Sequence, residues 1–133
     1  MDILKLTAVS NYAGSAESPF LAELFKALAD REVQYCVLRN YEYLPYSLAG
    51  SDLDLLVAPN CLETAFDAID SAARACGGRC IVQYTVNAMV TAFAGTFLGE
   101  HWGAHIDLFG SLDIWGQEYY RASTVLERTP VSY

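Results

Sequence analysis

The stretch Gly50-Ser51-Asp52-Leu53-Asp54-Leu55-Leu56-Val57 decides how this chain is read. Its alternation of acidic and apolar residues is that of a β-strand. Residues i and i+2 of a strand share a face, so Asp52 and Asp54 stand side by side while Leu53, Leu55 and Val57 turn into a core. Two carboxylates this close repel, and each resists ionisation unless a cation lies between them. A divalent metal is the simplest resolution. Hard oxygen donors on a rigid strand suit Mg²⁺ or Mn²⁺, which complete their shells with water and substrate phosphates. A solvated pair on an edge strand is the plain alternative for any Asp-X-Asp. Here the preceding turn, the apolar run and a second apolar-flanked Asp further on favour the metal.

Upstream, residues 33–38 read as a first strand, with Arg39-Asn40 where it gives way to a loop over 41–51 that contains Pro45 and Gly50. Before it, Ser18 is placed to cap a helix, Pro19 fits its first position, and Phe20, Leu21, Leu24, Phe25 and Leu28 recur at helical spacing to an end near Asp30-Arg31. Residues 1–17 form a lead-in without assigned chemistry. Downstream, Pro59 stops the acidic strand and Asn60 with Glu63 matches a capping box. Leu62, Phe66, Ile69, Ala73 and Cys76 then mark one face of a second helix that Gly77-Gly78 ends.

Residues 80–86 and 89–97 are strand-like and joined at Asn87-Ala88, and 103–109 is a further strand. Beyond Gly110 the pattern weakens into a short helix over 117–120 and a final strand near Val131. This order predicts one α+β domain over 18–133, a mixed β-sheet with helices packed mainly on one face.

Alternation in Gly103-Ala104-His105-Ile106-Asp107-Leu108-Phe109 puts His105 and Asp107 on one face. Asp107 is therefore a candidate third carboxylate. Three carboxylates from two neighbouring strands can hold two divalent ions a few ångströms apart, the arrangement that supports in-line nucleotidyl transfer. His105 reads as a group behind the metal, a substrate contact or a simple hydrogen-bonding residue. His101 and His105 lack the third nitrogen of a zinc site.

The pairing of Asp52-Leu53-Asp54 with the later Ile106-Asp107-Leu108 resembles the nucleotidyltransferase superfamily, which includes polymerase-beta-like and minimal transferases. More narrowly, the stretch from Tyr35 to Val57 is similar to nucleotidyltransferase-like proteins found among bacterial cell-surface polysaccharide genes. The resemblance implies that Asp52, Asp54 and Asp107 are metal ligands and catalytic groups, with a nucleoside triphosphate as donor. Family members carry a Gly-Ser or Gly-Gly pair before the acidic strand, and Arg39-Asn40 takes that place here. A glycine lets phosphate approach the backbone, whereas Arg39 has to reach it with its guanidinium. Arg39, Asn40, Gly50 and Ser51 are thus the candidate contacts to the donor. Ser51 also reads as a turn cap for Asp52, and Arg39 as an ion-pair partner of Glu42 or of an acidic neighbour in the loop. The altered pair leaves a second reading open, a non-catalytic nucleotide-binding or interaction module.

Composition narrows the partners. The chain has 133 residues, a formal net charge of −8 and 53% apolar residues, which fits one globular domain and argues against nucleic-acid binding through a basic surface. The four cysteines lack the paired spacing of a zinc site and read as free thiols. No apolar stretch approaches the ~20 residues of a spanning helix, so no membrane segment is expected, and the free thiols point to a reducing cytoplasm. A nucleotide is the expected small partner. A homodimer, a partner protein or a further helical region is the expected complement to the site.

Overall fold

The computed structural model describes residues 16–39, 42–86, 89–95, 102–114 and 117–120. Helix α1 spans Ser18–Asp30, strand β1 Tyr35–Arg39 and strand β2 Leu53–Val57. A 3-10 turn at Pro59–Cys61 leads into helix α2, Leu62–Ala75. Strands β3 (Arg79–Val86), β4 (Met89–Gly95) and β5 (Gly103–Phe109) follow, then a separate hairpin of β6 (Leu112–Ile114) and β7 (Gln117–Tyr120). The main sheet has the order β1-β2-β5-β4-β3, with β2 and β5 parallel and the other neighbours antiparallel. This is the expected α+β architecture with a mixed sheet.

The core explains why these segments adopt these elements. Every apolar residue expected on α1, namely Phe20, Leu21, Leu24, Phe25 and Leu28, is buried. They share one cluster with Leu53, Leu55 and Val57 of β2, Ile106 and Leu108 of β5, and the buried side of α2. That side of α2 is mostly alanine, Ala65, Ala68, Ala72 and Ala73 around Ile69, with Leu62, Phe66 and Cys76 at its border. Small side chains let α2 lie close to α1 and to the sheet. On the opposite face of the sheet Leu56 packs with Cys36, Leu38 and Phe109. Strand β2 is therefore covered on both faces, as an inner strand between β1 and β5 should be.

Three local expectations are corrected. Ser18 is the first helical residue and not the cap; Glu17 precedes it, and its carboxylate accepts from Ser47 Oγ at 2.9 Å and from the Leu48 N–H at 3.3 Å. A distant loop has taken over the polar group next to the helix start. The Asn60–Glu63 capping box does not form, because Pro59 starts a 3-10 turn closed by the Cys61 N–H on the Ala58 carbonyl, and α2 begins only at Leu62. Residues 117–120 form strand β7 and not a helix: four residues are too few for a stable helix, whereas pairing with β6 supplies hydrogen-bond partners immediately.

The lead-in over 1–15, the Asn87-Ala88 connection, the extension of β4 to 97 and the strand near Val131 lie outside the described residues. Among the described residues no helix is long and apolar enough to cross a membrane.

The end of α2 is as its glycines predict. Gly77 has φ +75°, its N–H bonds the Arg74 carbonyl at 3.1 Å, and the Gly78 N–H bonds the Ala73 carbonyl at 2.8 Å. That is the paired closure of a Schellman motif. Gly78 carries a second constraint, since a Cβ there would stand 2.2 Å from the Gly95 carbonyl oxygen and 2.8 Å from the Trp102 ring. Trp102 in turn stacks on Phe20 with ring centroids 5.0 Å apart, tying the start of β5 to the start of α1. Gly78→Ala should therefore lower stability by about 1–3 kcal/mol through overpacking against backbone that cannot yield. Gly77→Ala, with open space around it, should cost only about 1 kcal/mol for its positive φ. Denaturant midpoints of the two variants check the ranking.

Candidate active site at the β2–β5 seam

Parallel pairing of β2 with β5 sets Leu53 opposite Ile106 and Asp54 opposite Asp107. Leu53 and Ile106 point into the helix-covered core, so Asp54 and Asp107 share the other face, joined by Asp52 and His105 one alternation earlier. His105 lies between two acids: its Nδ1 is 3.3 Å from Asp52 Oδ1 and its Nε2 is 3.1 Å from Asp107 Oδ1. Both contacts are hydrogen bonds at once only when both ring nitrogens carry protons. The carboxylates are graded by depth, with side-chain exposures of 46% for Asp52, 17% for Asp107 and 5% for Asp54.

Arg39 reaches this face through an irregularity in β1. Cys36 pairs with Leu56 and Val37 with Leu55, but the register then shifts and Arg39, not Leu38, stands opposite Asp54. Strict alternation would put Arg39 on the face of Val37, toward the helices. The extra residue re-aims it, as a bulge does. Arg39 Nε donates to Asp54 Oδ2, and the Arg39 side chain is otherwise 67% exposed. That hydrogen bond, reinforced by the charges of Asp54, Asp52 and Asp107 against a smaller opposing effect of burial, holds the guanidinium above its ordinary range. Arg39 thus forms the ion pair weighed against its phosphate role, but with Asp54 of β2 in place of Glu42 or another acid of the loop.

The cluster could hold a metal ion. Asp52, His105 and Asp107 each offer one ligand atom, and these atoms lie within 4.8 Å of one another. Beside them, Asp54 Oδ1 is buried with no hydrogen-bond partner among the described residues, the condition of an acceptor short of a cation or donor. The expected set was Asp52, Asp54 and Asp107. All three share the face, but the compact group contains His105, while Asp54 is turned to Arg39.

A cavity of about 580 Å³ opens next to the seam, lined among others by Gly50, Ser51, Asp52, His105, Leu48 and Glu17. Gly50 and Ser51 therefore stand where a ligand could meet them. They belong to a turn over residues 48–51 closed by the Ser51 N–H on the Leu48 carbonyl at 3.0 Å, with Ala49 at φ 52° and Gly50 at φ 78°. Two central residues at positive φ are the pattern of a type I′ turn, and the glycine meets that requirement without strain. Glu17 has no signal in the sequence, because its partners Ser47 and Leu48 lie about thirty residues away. Asn40 and His101 lie outside the described residues.

The cysteines stay out of the site. All four are free. Burial, with the charge of Asp70, pushes the Cys80 thiol up to about 11, and burial followed by the charge of Glu23 raises Cys76. Neither is a thiolate nucleophile at neutral pH.

The Arg39–Asp54 contact is a charge compensation of a buried acid, and it yields a coupled prediction. Arg39→Met should lower the melting temperature, because it strands the Asp54 carboxylate. In an Asp54→Asn background the same change should cost much less, since no buried charge is left behind. A double-mutant cycle by thermal denaturation measures the coupling. Equal losses in both backgrounds would show that the two side chains do not interact energetically.

Comparison with protein-family models, with curated proteins and with solved structures finds no match to this chain.

Proposed function

We propose that this chain is a metal-dependent nucleotidyltransferase domain that moves a nucleoside monophosphate from a nucleoside triphosphate to a hydroxyl acceptor. One observation carries the reading: the parallel register of β2 and β5 sets Asp54 beside Asp107, and Asp52, one alternation earlier, borders an open cavity. Three acids on a sheet face cost stability through repulsion unless they bind something, and a scaffold has no physical need of them.

In the reaction, the acceptor oxygen bonds to the α-phosphorus, the bond from that phosphorus to the bridging oxygen breaks, and pyrophosphate leaves. The hydroxyl proton passes to a carboxylate, the role we assign to Asp107, whose Oδ1 lies 3.1 Å from His105 at the cavity edge. Asp52, with His105 beside it and Asp107, would hold Mg²⁺ or Mn²⁺, while Asp54 adds negative charge to the same face behind its contact with Arg39. A bound divalent cation would supply charge compensation for the phosphates and favour ionisation of the acceptor hydroxyl. Arg39, mostly exposed beyond its contact with Asp54, offers guanidinium N–H groups to phosphate oxygens in place of a glycine backbone. Gly50 and Ser51 border the cavity where the triphosphate would lie.

The alternative is a non-catalytic module that binds a nucleotide, favoured by the neutralisation of Asp54 by Arg39 in place of a cation. The two readings part at Asp107→Asn. The transferase predicts a metal-dependent, nucleotide-selective rise in melting temperature of the wild type, worth about 2.7 kcal/mol when the triphosphate is at ~100 times Kd. It also predicts pyrophosphate release with a suitable hydroxyl acceptor. In Asp107→Asn the release should vanish, while the metal-free protein stays folded or gains slightly from the lost repulsion. A wild type that melts at the same temperature with and without each triphosphate, at millimolar concentrations, overturns both readings.

A further inference from the structure

The donor set of the compact group is not the all-oxygen set that Asp-X-Asp alone implies. We propose that Asp52, His105 and Asp107 form a nitrogen-bearing site selective for a first-row transition ion of the Mn²⁺ type over Mg²⁺. The proposal deepens the transferase reading and rests on it in taking this cluster as the metal site.

Three observations converge. First, the ligand atoms of Asp52, His105 and Asp107 lie within 4.8 Å of one another, close enough to share one ion. Second, Asp54 is withdrawn from that role by Arg39, which the β1 bulge delivers to its side, so the imidazole supplies the third donor. Third, His105 has a carboxylate at each nitrogen, Asp52 at Nδ1 and Asp107 at Nε2. One nitrogen would face the ion, and the N–H on the other stays beside a carboxylate of the same cluster, which holds the ring in place between Asp52 and Asp107. Oδ1 of Asp54, whose backbone stands opposite Asp107 in the β2–β5 register, is buried with no hydrogen-bond partner among the described residues, an acceptor on this face that Arg39 does not satisfy.

Selectivity follows from the donor chemistry. Mg²⁺ is a hard ion that takes oxygen ligands and gives up water reluctantly. An imidazole nitrogen adds little for it and more for transition ions, whose affinities for mixed nitrogen and oxygen sites rise from Mn²⁺ upward along the series. The plain alternative is that His105 serves as a protonated counter-ion to Asp52 and Asp107 and never meets a metal.

The test is Mn²⁺ binding to the full chain, followed by pulsed electron paramagnetic resonance and by calorimetric titration against Mg²⁺. The proposal expects ¹⁴N modulation from one imidazole in the wild-type spectrum and preference for Mn²⁺ over Mg²⁺. In His105→Gln the nitrogen signal should vanish and Mn²⁺ affinity should fall on the order of 10- to 100-fold, with Mg²⁺ affinity little changed. The wild-type spectrum needs no variant, so a misfolded His105→Gln leaves the proposal testable. Bound Mn²⁺ without nitrogen modulation, or equal affinity for Mg²⁺, overturns it and leaves the transferase reading with an all-oxygen site. Absence of any Mn²⁺ binding overturns the site and the metal-dependent transferase together. Nitrogen-coupled Mn²⁺ with no triphosphate-dependent shift in melting supports the site and sinks the transferase reading alone.

Discussion

The parallel contact between β2 and β5 is the constraint on which the rest of this structure depends. One register, Leu53 opposite Ile106 and Asp54 opposite Asp107, serves two purposes at once. It aligns the residues that fill the helix-covered core, and it aligns the acids on the reverse face. A slip by one residue would invert every side chain, placing carboxylates against α1 and α2 and leucines at the cavity. The apolar core therefore enforces the geometry of the site. The steep cost of burying Asp54 or Asp107 among Phe20, Leu24 and Ile69 is what makes the register unique.

Collecting acids on one face creates an electrostatic problem that the chain's own Arg39 and His105 answer in part. Arg39 answers Asp54, and His105 stands between Asp52 and Asp107. These compensations differ in permanence. Asp54 is deeply buried and its Arg39 contact sits at the edge of the sheet, so that pair holds a structural charge in place. Asp52 and His105 are partly exposed at the cavity, where water, an ion or a ligand can exchange with them. The face is thus graded from a structural acid at its floor to exchangeable groups at its rim, a layout suited to holding a charged ligand without loosening the sheet.

Elements distant in sequence keep that rim in shape. Glu17, ahead of α1, holds the loop through Ser47 and Leu48, and the turn over residues 48–51 then delivers Asp52 to the start of β2. The Phe20–Trp102 stack joins the same helix end to the start of β5, three residues before His105. Both strands that carry the cluster are consequently referenced to the N-terminal end of α1. That convergence links the helix packing in the core to the spacing of groups at the cavity.

The alternation in Leu53-Asp54-Leu55 and Ala104-His105-Ile106-Asp107 was enough to assign strands, faces and core residues, because period-two patterning is a local consequence of burying one side of a sheet. The spacing of Phe20, Leu21, Leu24 and Leu28, and the Gly77-Gly78 stop, were legible for the same local reason. The two expected helix caps were not, because the polar groups at Glu17 and Asn60 answer to partners and turns that compete with the helix end. Nor was the short strand at Gln117–Tyr120, whose identity depends on having β6 beside it.

Within the site, the sequence by itself determined which acids share a face. Only the tertiary structure decided that Asp54 belongs to Arg39 and that His105 joins Asp52 and Asp107. The physical reason is that face membership follows from the backbone period within one strand. Pairing, by contrast, depends on a bulge in β1 and on the register between β2 and β5, both set by packing across the sheet.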